Sequence, residues 1–302
     1  MSLVSIAMAT YNGEKFLKEQ LDSIVNQTYK NLEIIICDDC STDSTIDIIK
    51  DFQKRDRRIK LYQNEKQLGV LKNFEKAISL CSGEYIAISD QDDIWIANKI
   101  ETMLSEIGDN ILIYHDDSLI DEKGDLICES FYEFYNETPY PTIKNYYYYY
   151  YCISGHSLMF KNNLIKKILP IPIEAEFYDW WIGVNALAYG NIKYIPLQLV
   201  KWRAHSTNSA ISKTTKNKKL LNFNTIKEWN RARITKLRLL KKHFPLHFHK
   251  EIDNAIKFHS NCNRIKCFVF AIRNINKIVT QKNIMRKLKY IIFPLIGPKV
   301  DC

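Results

Sequence analysis

Short apolar runs alternate with amphipathic stretches through the first 120 residues of the chain. Apolar side chains in the amphipathic stretches recur three and four positions apart, which is the spacing of one helix face. The apolar runs are predicted to be buried strands, and they occupy residues 4–9, 34–37, 59–62, 85–89 and 111–114. This βαβα rhythm predicts an α/β fold with a mainly parallel sheet and helices on both faces.

The pattern is weaker near the middle of the chain. Periodicity fades over residues 125–141, and six consecutive tyrosines follow at residues 146–151. Because tyrosine is common in strands, the run is predicted to be a β segment, with a stacking surface for a sugar or base as the alternative. Regular structure is then expected as a strand at 154–160, a helix from about Asp179, and paired strands at 192–202.

Charge divides the chain into two parts. The net charge is +9, but residues 213–302 contain 22 Lys and Arg against four acidic residues, a net +18 that leaves −9 for residues 1–212. Residues 206–222 are rich in Ser, Thr, Asn and Lys and are typical of a linker. We therefore expect an α/β domain over residues 1–212 and a basic, mainly helical C-terminal region over residues 213–302.

The basic region predicts an anionic partner, either lipid headgroups or another polyanion. No apolar run reaches the ~18 to 20 residues that a membrane-spanning helix needs. Eight scattered cysteines and the absence of a basic and apolar leader indicate a reduced, cytoplasmic setting. We expect a protein that lies at the inner face of the cell membrane. The alternative is a polyanion-binding protein whose α/β domain is a scaffold.

Polar clusters follow three of the predicted strands: Thr10-Tyr11-Asn12, Asp38-Asp39 and Asp90-Gln91-Asp92-Asp93. The carboxyl ends of parallel strands meet at one edge of a sheet, where ligands bind. Carboxylates this close repel one another unless a cation joins them. Oxygen ligands suit Mg²⁺ or Mn²⁺, which complete their coordination with substrate phosphates. The alternative for the third cluster is a capping loop ahead of the helix that follows Trp95.

These clusters resemble glycosyltransferase family 2, whose inverting members have the GT-A fold. The matching segments are residues 8–13 (Met-Ala-Thr-Tyr-Asn-Gly), 37–43 (Cys-Asp-Asp-Cys-Ser-Thr-Asp) and 89–95 (Ser-Asp-Gln-Asp-Asp-Ile-Trp). The last of these, with a later Asp-Trp-Trp at 179–181, is similar to the rhamnosyltransferase-like branch. The resemblance covers residue 3 to about residue 212. It implies a Rossmann-like GT-A catalytic domain that binds a nucleotide sugar.

The resemblance also implies roles for individual residues. Those expected around the nucleotide sugar are Thr10, Tyr11, Glu14, Asp39, Asn73, Asp90, Asp93, Lys99 and Arg203. Asp39 would bind the base, and Asp93 would face the donor sugar. Asp90 and Asp92 would form the DxD pair, with Asp92 as the direct ligand of a divalent metal. His205 would bind the metal or the diphosphate, although a lone His after a strand is usually structural. Asn73 and Lys99 also have structural alternatives.

An inverting transfer needs a carboxylate that takes the proton of the acceptor hydroxyl. The resemblance assigns this base to Asp179, for which the alternative is the N-cap of a helix. Arg203 would neutralise the charge of the leaving diphosphate. If Asp179 is not the base, the next candidates are Asp116 and Asp117.

The activity implied is that of a metal-dependent hexosyltransferase. It would move one sugar from dTDP-rhamnose or a UDP-sugar to a saccharide acceptor in surface polysaccharide or lipid-linked oligosaccharide synthesis. The chain lacks the Gln-x-x-Arg-Trp motif of processive synthases, which favours single-sugar addition. The strand-end acids would repel phosphate without a metal, so no nucleic-acid partner is expected.

Overall fold

The computed structural model describes residues 1–148, 153–205, 223–260 and 264–278. The chain forms two compact units, which we call unit 1 (Met1–Phe131 and Ile153–His205) and unit 2 (Tyr132–Cys152 and Ser206–Cys302). The predicted boundary between residues 212 and 213 lies outside the described residues. Unit 2 includes the segment Tyr132–Cys152 from the middle of the chain. The sequence pattern did not predict that this segment separates from the α/β domain.

Strands and helices alternate through unit 1 as the pattern predicts. The strands are β1 (Val4–Thr10), β2 (Leu32–Asp38), β3 (Ile59–Gln63), β4 (Tyr85–Ser89), β5 (Ile94–Trp95), β6 (Leu112–Ile120), β7 (Leu126–Cys128), β8 (Leu158–Lys161) and β9 (Ile192–Arg203). The helices of the described chain are α1 (Leu17–Val25), α2 (Thr45–Arg55), α3 (Val70–Ser79), α4 (Lys99–Ile107), α5 (Phe131–Phe134), α6 (Ile143–Tyr148), α7 (Ile165–Ile168), α8 (Tyr178–Tyr189), α9 (Phe223–His243), α10 (Leu246–Ser260) and α11 (Arg264–Ile278).

The described strands form one sheet in the order β3-β2-β1-β4-β8-β6-β9-β5, with β7 paired to β6. Strands β1 to β4 run parallel because amphipathic helices connect them. The sheet is nevertheless mixed rather than mainly parallel. Strand β8 lies antiparallel between β4 and β6, and β5 is antiparallel to β9. The α/β fold class is confirmed. The antiparallel strand β8 joins β6 and β9 to the parallel part of the sheet that β1 to β4 form.

The core of unit 1 covers both faces of β1 and β2. Successive side chains of a strand point to opposite faces, so a continuous apolar run such as 34–37 requires helices on each side. Ile34 and Ile36 pack with Leu17 and Leu21 of α1, and all four side chains are fully buried. Burial of each such side chain contributes about 1.5–3 kcal/mol to the stability of the fold. The strand ends therefore extend from a well-packed core.

The tyrosine run is the clearest departure from the sequence pattern. Residues 146–148 belong to helix α6, so the predicted β segment is wrong there, and residues 149–151 lie outside the described residues. Packing in unit 2 explains the helix. Tyr148 lies 4.8 Å from Phe270 and 5.7 Å from Phe258 between ring centroids, and its hydroxyl donates to Glu251 at 2.9 Å. These tertiary contacts outweigh the strand preference of tyrosine, which depends on context.

Two predicted strands also differ from the structure. The expected strand at 154–160 begins with a 3-10 turn over Gly155–Ser157, and only Leu158–Lys161 is extended. The paired strands expected at 192–202 are the single strand β9, which pairs with β6 along one edge and with β5 along the other. The turn at Gly155–Ser157 places a histidine beneath the candidate site, as described below.

Candidate active site at the carboxyl ends of β1, β2 and β4

The three polar clusters that follow β1, β2 and β4 meet at one edge of the sheet. In the parallel register Thr10 pairs with Asp38, and Met8 pairs with Ser89, so the three strands end close to the same level. Hydrogen bonds then join the loops. The Thr10 hydroxyl donates to Asp38 at 2.8 Å, and the Tyr11 amide donates to Gln91 at 2.9 Å. The edge therefore presents one continuous polar surface, as the strand-end pattern predicts.

Gln91 links the first loop to the acidic loop (Asp90-Gln91-Asp92-Asp93). Its Oε1 accepts from the Tyr11 amide, and its Nε2 donates to the Tyr11 carbonyl at 3.1 Å. A Cβ at Gly13 would lie 2.5 Å from Gln91 Oε1, so a larger residue there would displace the Gln91 side chain from its contacts with Tyr11. The Tyr11 side chain is 44% exposed beside this junction.

Other predicted nucleotide-binding residues support the loops in this structure. Thr10 is buried with its hydroxyl bonded to Asp38. A carboxylate oxygen of Glu14 accepts from the Ser44 amide at 2.9 Å, just before α2. Among the described contacts, these two side chains bind neighbouring protein groups and hold the first two loops together.

Asp39 and Asn73 form a hydrogen-bond network with Asn64. Asp39 accepts from the amides of Leu68 and Gly69 at 2.7 and 2.8 Å and from the Asn64 side chain at 2.8 Å. Asn73 accepts from Asn64 at 2.9 Å and donates to the Cys37 carbonyl at 2.8 Å. These contacts close the loop between β3 and α3 over the end of β2. Asn73 is buried within this network.

The acidic loop carries three carboxylates at different depths. The Asp90 side chain is 34% exposed, Asp92 is 18% exposed and Asp93 is fully buried. Asp92 Oδ2 lies 2.8 Å from His205 Nε2, so the structure brings together the two residues predicted to bind the metal. Because Asp92 and His205 are separated by 113 positions in the sequence, only the fold makes them neighbours.

Arg203 holds the acidic loop from below. Its backbone amide donates to Asp93 Oδ1 at 3.0 Å, and its Nε donates to the Asp92 carbonyl at 3.0 Å. Its guanidinium also pairs with Glu19 and lies 4.8 Å from the centre of the Phe16 ring. The side chain is buried by these contacts. In this conformation Arg203 orders the acidic loop rather than facing a leaving diphosphate.

Lys99 is also buried, at the first turn of α4. Its Nζ donates to the His156 carbonyl at 2.5 Å and lies 3.7 Å from the centre of the Trp95 ring. Burial lowers the pKa of Lys99 to about 7, although Asp117, Asp93 and Asp90 oppose the shift. Lys99 thus belongs to the interior beneath the acidic loop in this conformation.

Asp179 lies at the start of α8, one position after Tyr178. The helix begins at Tyr178 with Phe177 as its N-cap, so the alternative that Asp179 is the N-cap is wrong. Asp179 is partly buried, and its Oδ1 accepts from the Trp180 amide at 2.7 Å. The Tyr178 hydroxyl lies 3.4 Å from Asp90 Oδ1, which places the beginning of α8 at the same edge as the three loops.

The donor set fits a hard divalent cation. Asp92 and His205 offer a carboxylate oxygen and an imidazole nitrogen that lie 2.8 Å apart, with 18% of the Asp92 side chain and 8% of the His205 side chain exposed. A second group, Asp90, Asp93 and His156, has ligand atoms within 4.8 Å of one another. His156 already lies against Asp117 at its other ring nitrogen, so this deeper group contains its own positive charge. The outer pair is therefore the better candidate for a metal that also contacts substrate.

The comparison with known families decides the class of enzyme. A family model described as "Glycosyl transferase family 2" matches residues 5–166, which is more than half of the chain. The chain belongs to glycosyl transferase family 2. The resemblance to this family inferred from the motifs is confirmed, and the alternative of a polyanion-binding protein whose α/β domain is only a scaffold is not supported. The matched segment ends before Asp179, Arg203 and His205.

Individual relatives of this glycosyltransferase extend the match. An uncharacterized glycosyltransferase of Methanocaldococcus jannaschii is 34% identical over 250 residues, which cover 80% of this chain and 81% of that protein. The Escherichia coli UDP-Glc:alpha-D-GlcNAc-diphosphoundecaprenol beta-1,3-glucosyltransferase WfgD is 44% identical over 103 residues, which cover 34% of this chain and 40% of that enzyme.

The fold is similar to that of the S. aureus protein TarS in complex with UDP-GlcNAc. The TM-score is 0.59 at 17% sequence identity, and the match covers 98% of this chain and 80% of the TarS chain. At this level of identity the similarity shows the fold alone. The predicted GT-A architecture of the glycosyltransferase is thereby confirmed.

Sequence reasoning missed His156, which lies beneath the acidic loop of this glycosyltransferase. Its Nε2 is 3.1 Å from Asp117 Oδ2, and its Nδ1 is 3.4 Å from Asp90 Oδ2. Burial would lower the pKa of His156, but Asp117 and Asp93 outweigh burial and raise the pKa well above its usual value. A Gly-His pair in a predicted strand carries no signal for this role, because the contact depends on where β8 enters the sheet.

Asp116 and Asp117, the reserve candidates for the base, are both buried. Asp116 accepts from the Ser130 hydroxyl at 2.6 Å and from the Phe131 amide at 3.1 Å. Asp117 lies between His156 and His115, and these neighbours overcome the effect of burial and lower its pKa. A buried carboxylate with such partners does not face an acceptor hydroxyl, whereas Asp179 is only partly buried.

Proposed function

We propose that this glycosyltransferase moves one sugar from a nucleotide diphosphate sugar to a lipid-linked saccharide or growing surface polysaccharide, with inversion at the anomeric carbon. The observation that carries the proposal is the meeting of Asp92, His205 and the start of α8 at one sheet edge. A divalent Mg²⁺ or Mn²⁺ would be held by Asp92 and His205 and would supply positive charge to the diphosphate. Asp179 would accept the proton of the acceptor hydroxyl.

The donor is proposed to be a UDP-sugar. WfgD is named as an enzyme that uses UDP-Glc and a diphosphoundecaprenol-linked GlcNAc, and TarS was crystallised with UDP-GlcNAc. Both descriptions belong to those proteins, and they support the same chemical class here. The branch resemblance favours dTDP-rhamnose, which is the competing donor. Uracil and thymine are both flat bases, so the exposed ring of Tyr11 could stack against either one.

A thermal-shift panel of nucleotide sugars tests the proposed donor class. We expect one UDP-sugar to raise the melting temperature only when Mn²⁺ or Mg²⁺ is present, because a ligand that binds the folded state stabilises it. At a ligand concentration of 100 Kd the gain is about 2.7 kcal/mol. The control is the same panel with a metal chelator. Stabilisation by dTDP-rhamnose alone would change the donor, and no stabilisation by any sugar nucleotide would contradict the function.

A peripheral membrane location is proposed for unit 2. Within the described helices none is both long and apolar enough to cross a membrane. Helix α11 exposes Ile265, Val269 and Ile272, which recur at the spacing of one helix face, and Arg273 beside them is exposed. An apolar face flanked by basic residues is typical of a helix that lies on an anionic lipid surface. The basic region over residues 213–302 is proposed to bind in this way.

The double variant Ile265→Gln/Ile272→Gln should reduce co-sedimentation with phosphatidylglycerol vesicles by about tenfold, since each isoleucine loses apolar burial on the lipid. The matched control is Leu126→Gln/Ile127→Gln, two exposed apolar residues of unit 1, which should leave binding unchanged. Equal co-sedimentation of wild type and the α11 variant at low salt would remove this membrane surface from the proposal.

A further inference from the structure

His156 connects the interior of unit 1 to the acidic loop. One ring nitrogen lies 3.1 Å from Asp117 on β6, and the other lies 3.4 Å from Asp90 and 3.7 Å from Asp93. An ionised carboxylate can only accept a hydrogen bond, so a ring that faces carboxylates at both nitrogens is best satisfied as an imidazolium. Asp93 Oδ2 is fully buried without a hydrogen-bond partner in the described structure, and His156 Nδ1 lies 3.7 Å from it.

The position of His156 is itself closely determined. Lys99 donates to its backbone carbonyl at 2.5 Å. Its ring stacks on Trp202, with centroids 6.2 Å apart and planes 14° apart. Trp202 precedes Arg203, whose amide and Nε hold Asp93 and the Asp92 carbonyl. The histidine and the acidic loop are thus anchored to the same strand, β9.

Repulsion between like charges explains why the acidic loop needs to be anchored. Asp90, Asp92 and Asp93 lie within four consecutive positions, and their carboxylates repel one another when no cation is near. A metal ion at Asp92 would compensate charge only on the open side of the loop. His156 lies on the buried side of the loop, where its Nδ1 is 3.4 Å from Asp90 Oδ2 and 3.7 Å from Asp93 Oδ2. The metal ion on the open side and His156 on the buried side would together keep the acidic loop in one conformation.

We propose that His156, held by Asp117, is a positioning residue that orders the acidic loop for metal and diphosphate binding. This inference rests on the proposed metal-dependent transfer. His156 contacts neither donor nor acceptor in this assignment; it acts through Asp90 and Asp93. The Asp117–His156 pair is the buried counterpart of Asp92–His205. Partners that orient ligands in this way typically change metal affinity by 10- to 100-fold when they are lost.

The test is His156→Gln, compared with His259→Gln as a matched control. His259 is equally buried but lies in unit 2, where its Nε2 is 2.9 Å from the Tyr147 carbonyl. Calorimetric UDP binding is measured across a Mn²⁺ titration, together with thermal unfolding. Both variants should melt at lower temperature. Only His156→Gln should raise the Mn²⁺ concentration for half-maximal UDP binding, by tenfold or more. Asp117→Asn should shift it in the same direction.

Three results overturn the positioning role. A Mn²⁺ requirement within twofold of wild type in folded His156→Gln means that the residue is merely structural. Complete loss of Mn²⁺-dependent binding, equal to that of Asp92→Ala, makes His156 a metal ligand. If wild type binds UDP without any metal, the proposed function fails. In that case a double-mutant cycle in thermal unfolding between His156→Gln and Asp90→Asn decides the inference, and additive effects would reject it.

Discussion

We expect Asp179→Asn to lower kcat by about 100-fold or more while leaving donor affinity unchanged. General-base catalysis commonly contributes 10²- to 10⁴-fold, and asparagine has no basicity at the same position. The substitution is conservative for the structure, because the asparagine oxygen can still accept from the Trp180 amide as Asp179 Oδ1 does. Acceptor-dependent turnover and calorimetric UDP binding, measured on the same preparation, give the two quantities.

The control for Asp179→Asn is Glu174→Gln. Glu174 is exposed in the turn Ile173–Ala175, shortly before α8, and the substitution removes one negative charge from the same region. We expect that variant to retain wild-type turnover. If Asp179→Asn also turned over at nearly the wild-type rate, the base would be another group. The buried and paired positions of Asp116 and Asp117 make them poor substitutes for it.

Asp92→Ala should abolish Mn²⁺-dependent binding of UDP, with a loss of at least 100-fold in affinity. The alanine removes the carboxylate that lies 2.8 Å from His205, so the cation between protein and diphosphate loses a direct ligand. His205→Ala should weaken the Mn²⁺ response less, because the carboxylate supplies most of the attraction to a hard cation. A Mn²⁺ titration followed by calorimetry measures both effects.

Asp109→Ala is the matched control for Asp92→Ala, since Asp109 is an exposed aspartate of unit 1 after α4. It should bind UDP as wild type does, which separates a local effect from a general loss of negative charge. Unchanged UDP binding and an unchanged Mn²⁺ response in a folded Asp92→Ala protein would reject the metal assignment. Loss of folding is checked by its melting curve.

Sequence reasoning succeeded where the chemistry follows directly from strand ends. Thr10, Asp38 and Ser89 each end a parallel strand, and the register of β1 with β2 and β4 brings them to one edge. Asp92 and His205 were paired only through family resemblance, because no periodicity relates positions so far apart. The structure does place their side chains in contact. What each residue binds during catalysis stays a prediction.

The features that the sequence did not predict depend on tertiary contacts. His156 lies beneath the acidic loop because β8 enters antiparallel between β4 and β6, and a local pattern cannot indicate that insertion. Lys99 and Arg203 were expected at the nucleotide, but both are buried by partners from distant segments in this conformation. The tyrosines at 146–148 are helical because they pack with other helices of unit 2.

The late position of β9 in the chain has a consequence for synthesis on the ribosome. Strand β5, directly after the acidic loop, pairs with β9 at residues 200–201, and Arg203 supplies the contacts to Asp92 and Asp93. A nascent chain that ends near residue 166 carries the whole family signature but none of these partners. Long-range pairing of this kind forms slowly. The three carboxylates therefore emerge well before the strand that orders them, and the acidic loop acquires its contacts with Arg203 and His205 only after residue 205 has left the exit tunnel.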